Sequence, residues 1–119
     1  MKILEFIKTY YLHDSIVEKL TFCQSEQQLE LAVEMCRWQQ TFFQEGEPEM
    51  QLGRLIFSGV SNYKIDPDPI LINSDEILVF ELLPTEECED EKCKIVLYDT
   101  INDVKILLFQ AKDVQWIVP

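Results

Sequence analysis

The sequence predicts a mainly β protein of α+β character. Antiparallel sheets form a sandwich or partly open barrel, with one short helix at the N-terminus. Three observations carry this. Residues 28–38 alternate apolar and polar side chains almost without a break. Short apolar runs recur down the rest of the chain, each bounded by turn-forming residues. Only the first ten residues space their apolar positions as a helix does. A length of 119 residues suits a single domain, 1–119, large enough for a core of its own.

The elements follow in order. Ile3, Leu4, Phe6 and Ile7 give one apolar face to a helix over residues 2–9. Tyr10 to Asp14 lead out of it. From Ser15 the period becomes two, and a strand over 15–23 places Ile16, Leu20 and Phe22 on one face, interrupted by Glu18. In the strand over 28–38, Leu29, Leu31, Val33 and Met35 point one way and Glu30, Ala32 and Glu34 the other. Ser25-Glu26-Gln27 joins these two strands as a hairpin. Residues 40–50 read as a loop punctuated by Gly46 and Pro48.

Strand character resumes over 52–65, with Leu55, Phe57 and Val60 toward the core and Gly59 as a bulge or close approach. Asp66-Pro67-Asp68-Pro69 excludes both helix and central strand, because proline lacks a donor and restrains its predecessor. Residues 76–83 form a strand ended by Pro84. Strands over 94–99, 104–111 and 114–118 complete a set of seven. Asn102-Asp103 and Lys112-Asp113 mark the turns, the last two strands forming a hairpin with Trp116 in the core.

Composition excludes several function classes. Twenty-two acids against ten bases give a net charge of −12. A nucleic-acid backbone and an anionic membrane both call for a basic face instead. No run approaches the length of a membrane span, and the N-terminus lacks the features of a secretory signal, so a cytoplasmic location is expected. Cys23, Cys36, Cys88 and Cys93 are then expected as thiols. The spacing of Cys88 and Cys93 could supply half of a zinc site, the rest coming from elsewhere.

A single histidine, His13, leaves few routes to catalysis. His13-Asp14 hints at a metal-dependent phosphohydrolase, but that chemistry needs further histidines. No nucleophile elbow, phosphate-binding glycine loop or dinucleotide fingerprint is present. Asp66-Pro67-Asp68 lacks the glycine and distal glutamate of a calcium loop. No enzyme, cofactor or metal is expected. His13, Asp14 and Ser15 read as a turn satisfying free backbone groups, with a ligand-contact role for His13 and Asp14 as the alternative. After Arg37, the aromatics Trp38, Phe42 and Phe43 are expected at the edge of the core. If exposed, they would instead anchor a partner.

The charge is uneven. Residues 45–91 hold thirteen acids and two bases. The acids fall in three connections: Glu45, Glu47 and Glu49; Asp66 and Asp68; and Glu86, Glu87, Glu89, Asp90 and Glu91. If these gather in space they would steer a basic partner. Otherwise they serve solubility and protect sheet edges.

Tyr11-Leu12-His13-Asp14-Ser15, the strand from Ile16 to Phe22, a short turn and the alternating strand from Leu29 to Cys36 resemble the start of a group of small uncharacterised bacterial proteins. Leu55-Ile56-Phe57-Ser58-Gly59-Val60 gives a weaker echo. Some of that group are catalogued as candidate immunity proteins of bacterial toxin systems. The resemblance implies a β-rich fold and no established activity. The expected function is a non-enzymatic acidic protein-binding module, of the kind that inhibits a basic bacterial toxin. The contact residues are drawn from His13, Asp14, Arg37, Trp38, Glu86, Glu87, Glu89, Asp90 and Glu91. The alternative is a small-molecule-binding β domain with its site near His13. A homodimer paired through an edge strand is compatible with either.

Overall fold

The alternation expected over residues 28–38 forms an interior strand, Gln28–Cys36, that ends two residues early in a 3-10 turn and whose Leu29, Leu31, Val33 and Met35 are all buried. The computed structural model describes residues 1–101 and 103–119. Its elements are α1 (Ile3–Thr9), β1 (Ile16–Cys23), β2 (Gln28–Cys36), a 3-10 turn (Arg37–Gln39), β3 (Met50–Ser58), β4 (Ser61–Asp66), β5 (Asp75–Leu83), β6 (Glu91–Tyr98), β7 (Val104–Ala111) and β8 (Asp113–Ile117). The strands form one sheet in the order β4-β7-β6-β5-β1-β2-β3-β8. Every pairing is antiparallel, and the sheet does not close on itself. The fold is mainly β with one short N-terminal helix, as expected.

A narrow joint divides this sheet. β1 and β5 pair only through Ile16 with Glu76 and Val17 with Asp75. Just beyond, each strand carries one extra residue, Glu18 in β1 and Leu78 in β5. Such bulges bend a strand and sharpen its twist. The halves β1-β2-β3-β8 and β5-β6-β7-β4 face each other across the core. Phe57 of β3 meets Phe109 of β7 edge-on at 4.8 Å and stacks near Phe80 of β5 at 6.1 Å. The bulge also corrects the expected face of β1. Val17 is the buried residue before it, and Leu20 and Phe22 face the core after it, so Ile16 is out of phase with them.

The chain crosses between the halves twice, at Gly59-Val60 and at Lys112. Gly59 has φ +65, and a Cβ there would lie 2.8 Å from Lys112 Cγ. The Lys112 N–H donates to the Ser58 carbonyl at 2.9 Å, so the two crossings touch. They overturn two expectations. Residues 52–65 are two strands, β3 and β4, in opposite halves, which raises the count from seven to eight. β7 and β8 are not a hairpin, since β8 pairs with β3. Trp116 accordingly lies half-buried over Gly53, where a Cβ would come within 2.6 Å of its ring.

Helix α1 begins at Ile3, one residue later than expected. Its Ile3 and Phe6 are buried, with Phe6 against Tyr10 and Phe80. The Glu91 carboxylate accepts the Ile3 and Leu4 N–H groups at 2.8 and 2.9 Å, which the first turn cannot satisfy internally. The β1–β2 hairpin and the breaks at Asp66-Pro67 and Pro84 stand where the sequence put them. Asn102, half of the expected Asn102-Asp103 turn, lies outside the described residues. No helix is long and apolar enough to cross a membrane.

Candidate functional site

Antiparallel pairing sorts the connections to two ends. Residues 24–27, 59–60, 84–90 and 112 lie at one, the turn end. Residues 10–15, 37–49, 67–74, 99–101 and 103 lie at the other, the loop end. The three acidic connections therefore do not all meet. Residues 45–49 and 66–68 share the loop end, whereas 86–91 lie opposite. At the turn end Glu91 is engaged with α1, and Glu89 accepts from Gln110 Nε2 at 3.1 Å.

The Leu12-His13-Asp14-Ser15 element is a clamp between α1 and the 3-10 turn. Asp14 adopts φ +68, a conformation aspartate tolerates better than most residues. Ser15 is wholly buried, and its Oγ accepts the Cys36 N–H at 2.9 Å. Gln39 Nε2 donates to Asp14 Oδ2 at 3.1 Å. Gln40 takes the Tyr11 N–H and donates to the Tyr11 and Cys36 carbonyls. His13 Nδ1 sits 3.2 Å from Asp14 Oδ1, and both side chains are substantially exposed. A depression of about 330 Å³ lies beside them, lined in part by Tyr10, Tyr11, His13 and Phe80.

Trp38 and Phe42 correct the expectation of a core edge: both are exposed, Trp38 by 54%, while Phe43 is half-buried. The cause is the 3-10 turn, which leads the chain off β2 before it can alternate inward again. Arg37 holds this loop from within. Its Nη2 is 3.0 Å from Glu47 Oε2, and its guanidinium lies 5.6 Å from the centre of the Phe42 ring. Phe42 in turn meets Tyr10 edge-on.

Sequence reasoning missed a buried ionic triad at the same end. Lys105 Nζ lies 2.7 Å from Asp75 Oδ2 and 3.4 Å from Asp99 Oδ2, and it also donates to the Leu71 carbonyl. All three side chains are almost fully buried. The sequence signal was phase, since Lys105 falls in step with the inward-facing Leu107, Phe109 and Ala111 of β7. Burial works against the ammonium form of Lys105, but Asp75 and Asp99 outweigh it and raise its pKa. Burial likewise works against the Asp99 carboxylate. The Asp103 and Ile101 N–H groups and Lys105 overcome it and hold Asp99 below the ordinary carboxylate range.

The triad organises two loops. Asp75 accepts the Asn73 N–H, and Asp99 accepts those of Ile101 and Asp103. These loops present Leu71 and Ile101 to solvent, exposed by 76% and 71%. Between them lies an open depression of about 570 Å³.

Cys88 is exposed and Cys93 faces the core, where burial pushes its thiol far up, so the two do not form a half-site for zinc. Among the described residues, no group of three or more His, Cys, Asp or Glu side chains is placed to hold a metal ion. Comparison with family models, with curated proteins and with solved structures returns no match.

Proposed function

We propose that the protein is an acidic, non-enzymatic binding module that engages a basic protein partner through its loop end. An inhibitor of a basic bacterial toxin, such as a nuclease, fits this reading. The observation that supports it most is the composition of that end. Exposed Trp38, Phe42, Leu71 and Ile101 stand among Glu45, Glu49, Asp66, Asp68 and Asp103. Apolar anchors amid like charges make a contact that desolvates at its centre and steers at its rim. Of the residues expected at the contact, Trp38 is retained. Arg37 and Glu91 are assigned to holding the loop and the helix, and Glu86 and Glu87 lie at the far end. Four free thiols suit a reducing compartment, and we place the module in the cytoplasm.

The test is capture of basic proteins from the source cells at about 50 mM and about 500 mM salt, conditions that change screening strongly. Retention at low salt only, lost with Trp38→Ala/Phe42→Ala but kept with Glu86→Gln/Glu87→Gln, is expected. Equal loss with both pairs, or no salt dependence, would sink the proposal.

The depression beside His13 favours a second reading, a small-molecule site lined by His13, Tyr10 and Tyr11. A thermal-shift screen with metabolites, repeated on His13→Ala, tests it. No shift across the panel removes it.

A further inference from the structure

We propose that the depression between residues 66–73 on one side and 99–101 and 103–105 on the other is a seat for one lysine or arginine side chain of the partner, flanked there by apolar residues. This rests on reading the loop end as a docking surface and names the chemistry that one part of it recognises. Three features of the groove carry it.

The first is its floor. Lys105 lines it, but its ammonium donates to the Leu71 carbonyl and lies 2.7 Å from Asp75 Oδ2 and 3.4 Å from Asp99 Oδ2. Its charge is thus matched from within the protein. One ammonium between two carboxylates leaves the floor with a net charge of −1.

The second is the rim. Asp66 and Asp103 line the depression, and no Lys or Arg of the described residues lies within ion-pair distance of either. Their charge is available to a partner. A second copy of this chain would bring its own acids to the same place, given a net charge of −12. Charge complementarity therefore selects a basic occupant.

The third is the wall. Leu71, Ile101 and Val104 are exposed apolar side chains, and Pro67 and Pro69 complete the apolar part of the lining. Lysine and arginine carry an aliphatic stem below the charged head. The stem suits Leu71, Ile101 and Val104, and the head suits Asp66 and Asp103. The Lys105–Leu71, Asn73–Asp75 and Ile101–Asp99 hydrogen bonds hold the walls in place before any partner arrives. Less ordering is then needed on binding.

The experiment uses the full chain, labelled with nitrogen-15, and three blocked tripeptides: Leu-Arg-Leu, Leu-Gln-Leu and Leu-Glu-Leu. Saturable amide shifts confined to residues 66–73 and 99–105 are expected with the arginine peptide. Binding should weaken about twofold to fivefold with the glutamine peptide, a scale set by exposed ion pairs, and vanish with the glutamate peptide. Asp66→Asn/Asp103→Asn should weaken the arginine peptide to a similar degree, and Leu71→Ser should weaken the arginine and glutamine peptides alike. Both variants alter exposed positions, so an unchanged circular dichroism spectrum checks the fold.

Shifts centred elsewhere, equal binding of the arginine and glutamine peptides, or no saturable shift would each overturn the seat. The wider reading fails separately. If capture of the partner depends on Trp38 and Phe42 while the arginine peptide finds no seat, the docking surface stands and the seat falls. If the arginine peptide seats as described while capture shows no dependence on the loop end, the seat stands and the wider reading falls.

Discussion

Ser15 and His13 are neighbours with opposite accounts. The Ser15 hydroxyl is buried and satisfies the Cys36 N–H, whereas His13 is partly exposed and touches chiefly Asp14. Ser15→Ala should lower stability by about 1–3 kcal/mol, the cost of orphaning a buried donor, and His13→Ala should change it little. Chemical denaturation of the two variants checks this, and equal losses would contradict the clamp. Tyr63 supplies the converse case. Its hydroxyl is buried without a hydrogen-bond partner, and burial, aided by Asp68, pushes its pKa up to about 12. Tyr63→Phe should therefore leave stability unchanged or raise it in the same measurement. Lys105 is the third residue whose environment decides its role. Its removal strands two buried carboxylates, so Lys105→Met should cost about 3 kcal/mol. The raised Lys105 pKa adds stability below its unfolded value of about 10.4, lost as pH climbs through the folded value. The lowered Asp99 pKa adds stability above about 3.9, lost as pH falls toward the folded value. Melting temperature against pH should therefore fall at both extremes, and Lys105→Met should flatten the alkaline limb. The turn at His13-Asp14 and the backbone bond of Ser15 were legible in the sequence, because short polar side chains beside a helix exit have few other uses. The His13 and Asp14 side chains, however, meet each other and Gln39 and not a free backbone group. The triad was hidden because Asp75, Asp99 and Lys105 come from three elements, and only the phase of Lys105 betrays it.

At the scale of elements, period-two patterning exposed the strands except that β3 and β4 read as one and a single inserted residue hid the face of β1. β2 could be read directly because Leu29, Leu31, Val33 and Met35 keep one phase throughout. β1 was misread because Glu18 inserts a residue, and alternation alone gives no sign of a bulge. The break at Gly59 was foreseen only as a bulge or close approach. Its larger effect, carrying the chain across the core, depends on Lys112 some fifty residues later. Gly53 lies inside β3, and Trp116 supplies the reason for a glycine there. Gly53→Ala would set a Cβ 2.6 Å from the Trp116 ring and 2.8 Å from the Ile117 carbonyl oxygen. Such overpacking costs about 1–3 kcal/mol. Trp116→Leu should recover part of that loss, since the ring can be removed but the carbonyl cannot. A double-mutant cycle by thermal unfolding measures the coupling, and strict additivity would show that the ring is not the obstacle.

For the whole molecule, the charge of −12 resolves into two populations. At the turn end Glu89 and Glu91 are tied to Gln110 and α1 while exposed Glu86 and Glu87 meet no described cation, and at the loop end Glu47, Asp75 and Asp99 are ion-paired while Asp66, Asp68 and Asp103 are not. This division was out of reach from the sequence, because it follows from strand order and not from spacing. The narrow β1–β5 joint has a bearing on time as well as shape. Only two residue pairs of the strands and the backbone bonds of Ile77 with Asp14 and Ser15 span it, while β8 must find β3 across some sixty residues and the Val114 N–H must reach the Met1 carbonyl from the other end of the chain. Pairings so distant in sequence slow the search for the native arrangement, and refolding on the order of milliseconds to seconds is expected. The same joint offers an early rupture point. A pulling force applied between the two halves should part β1 from β5 before either half unravels.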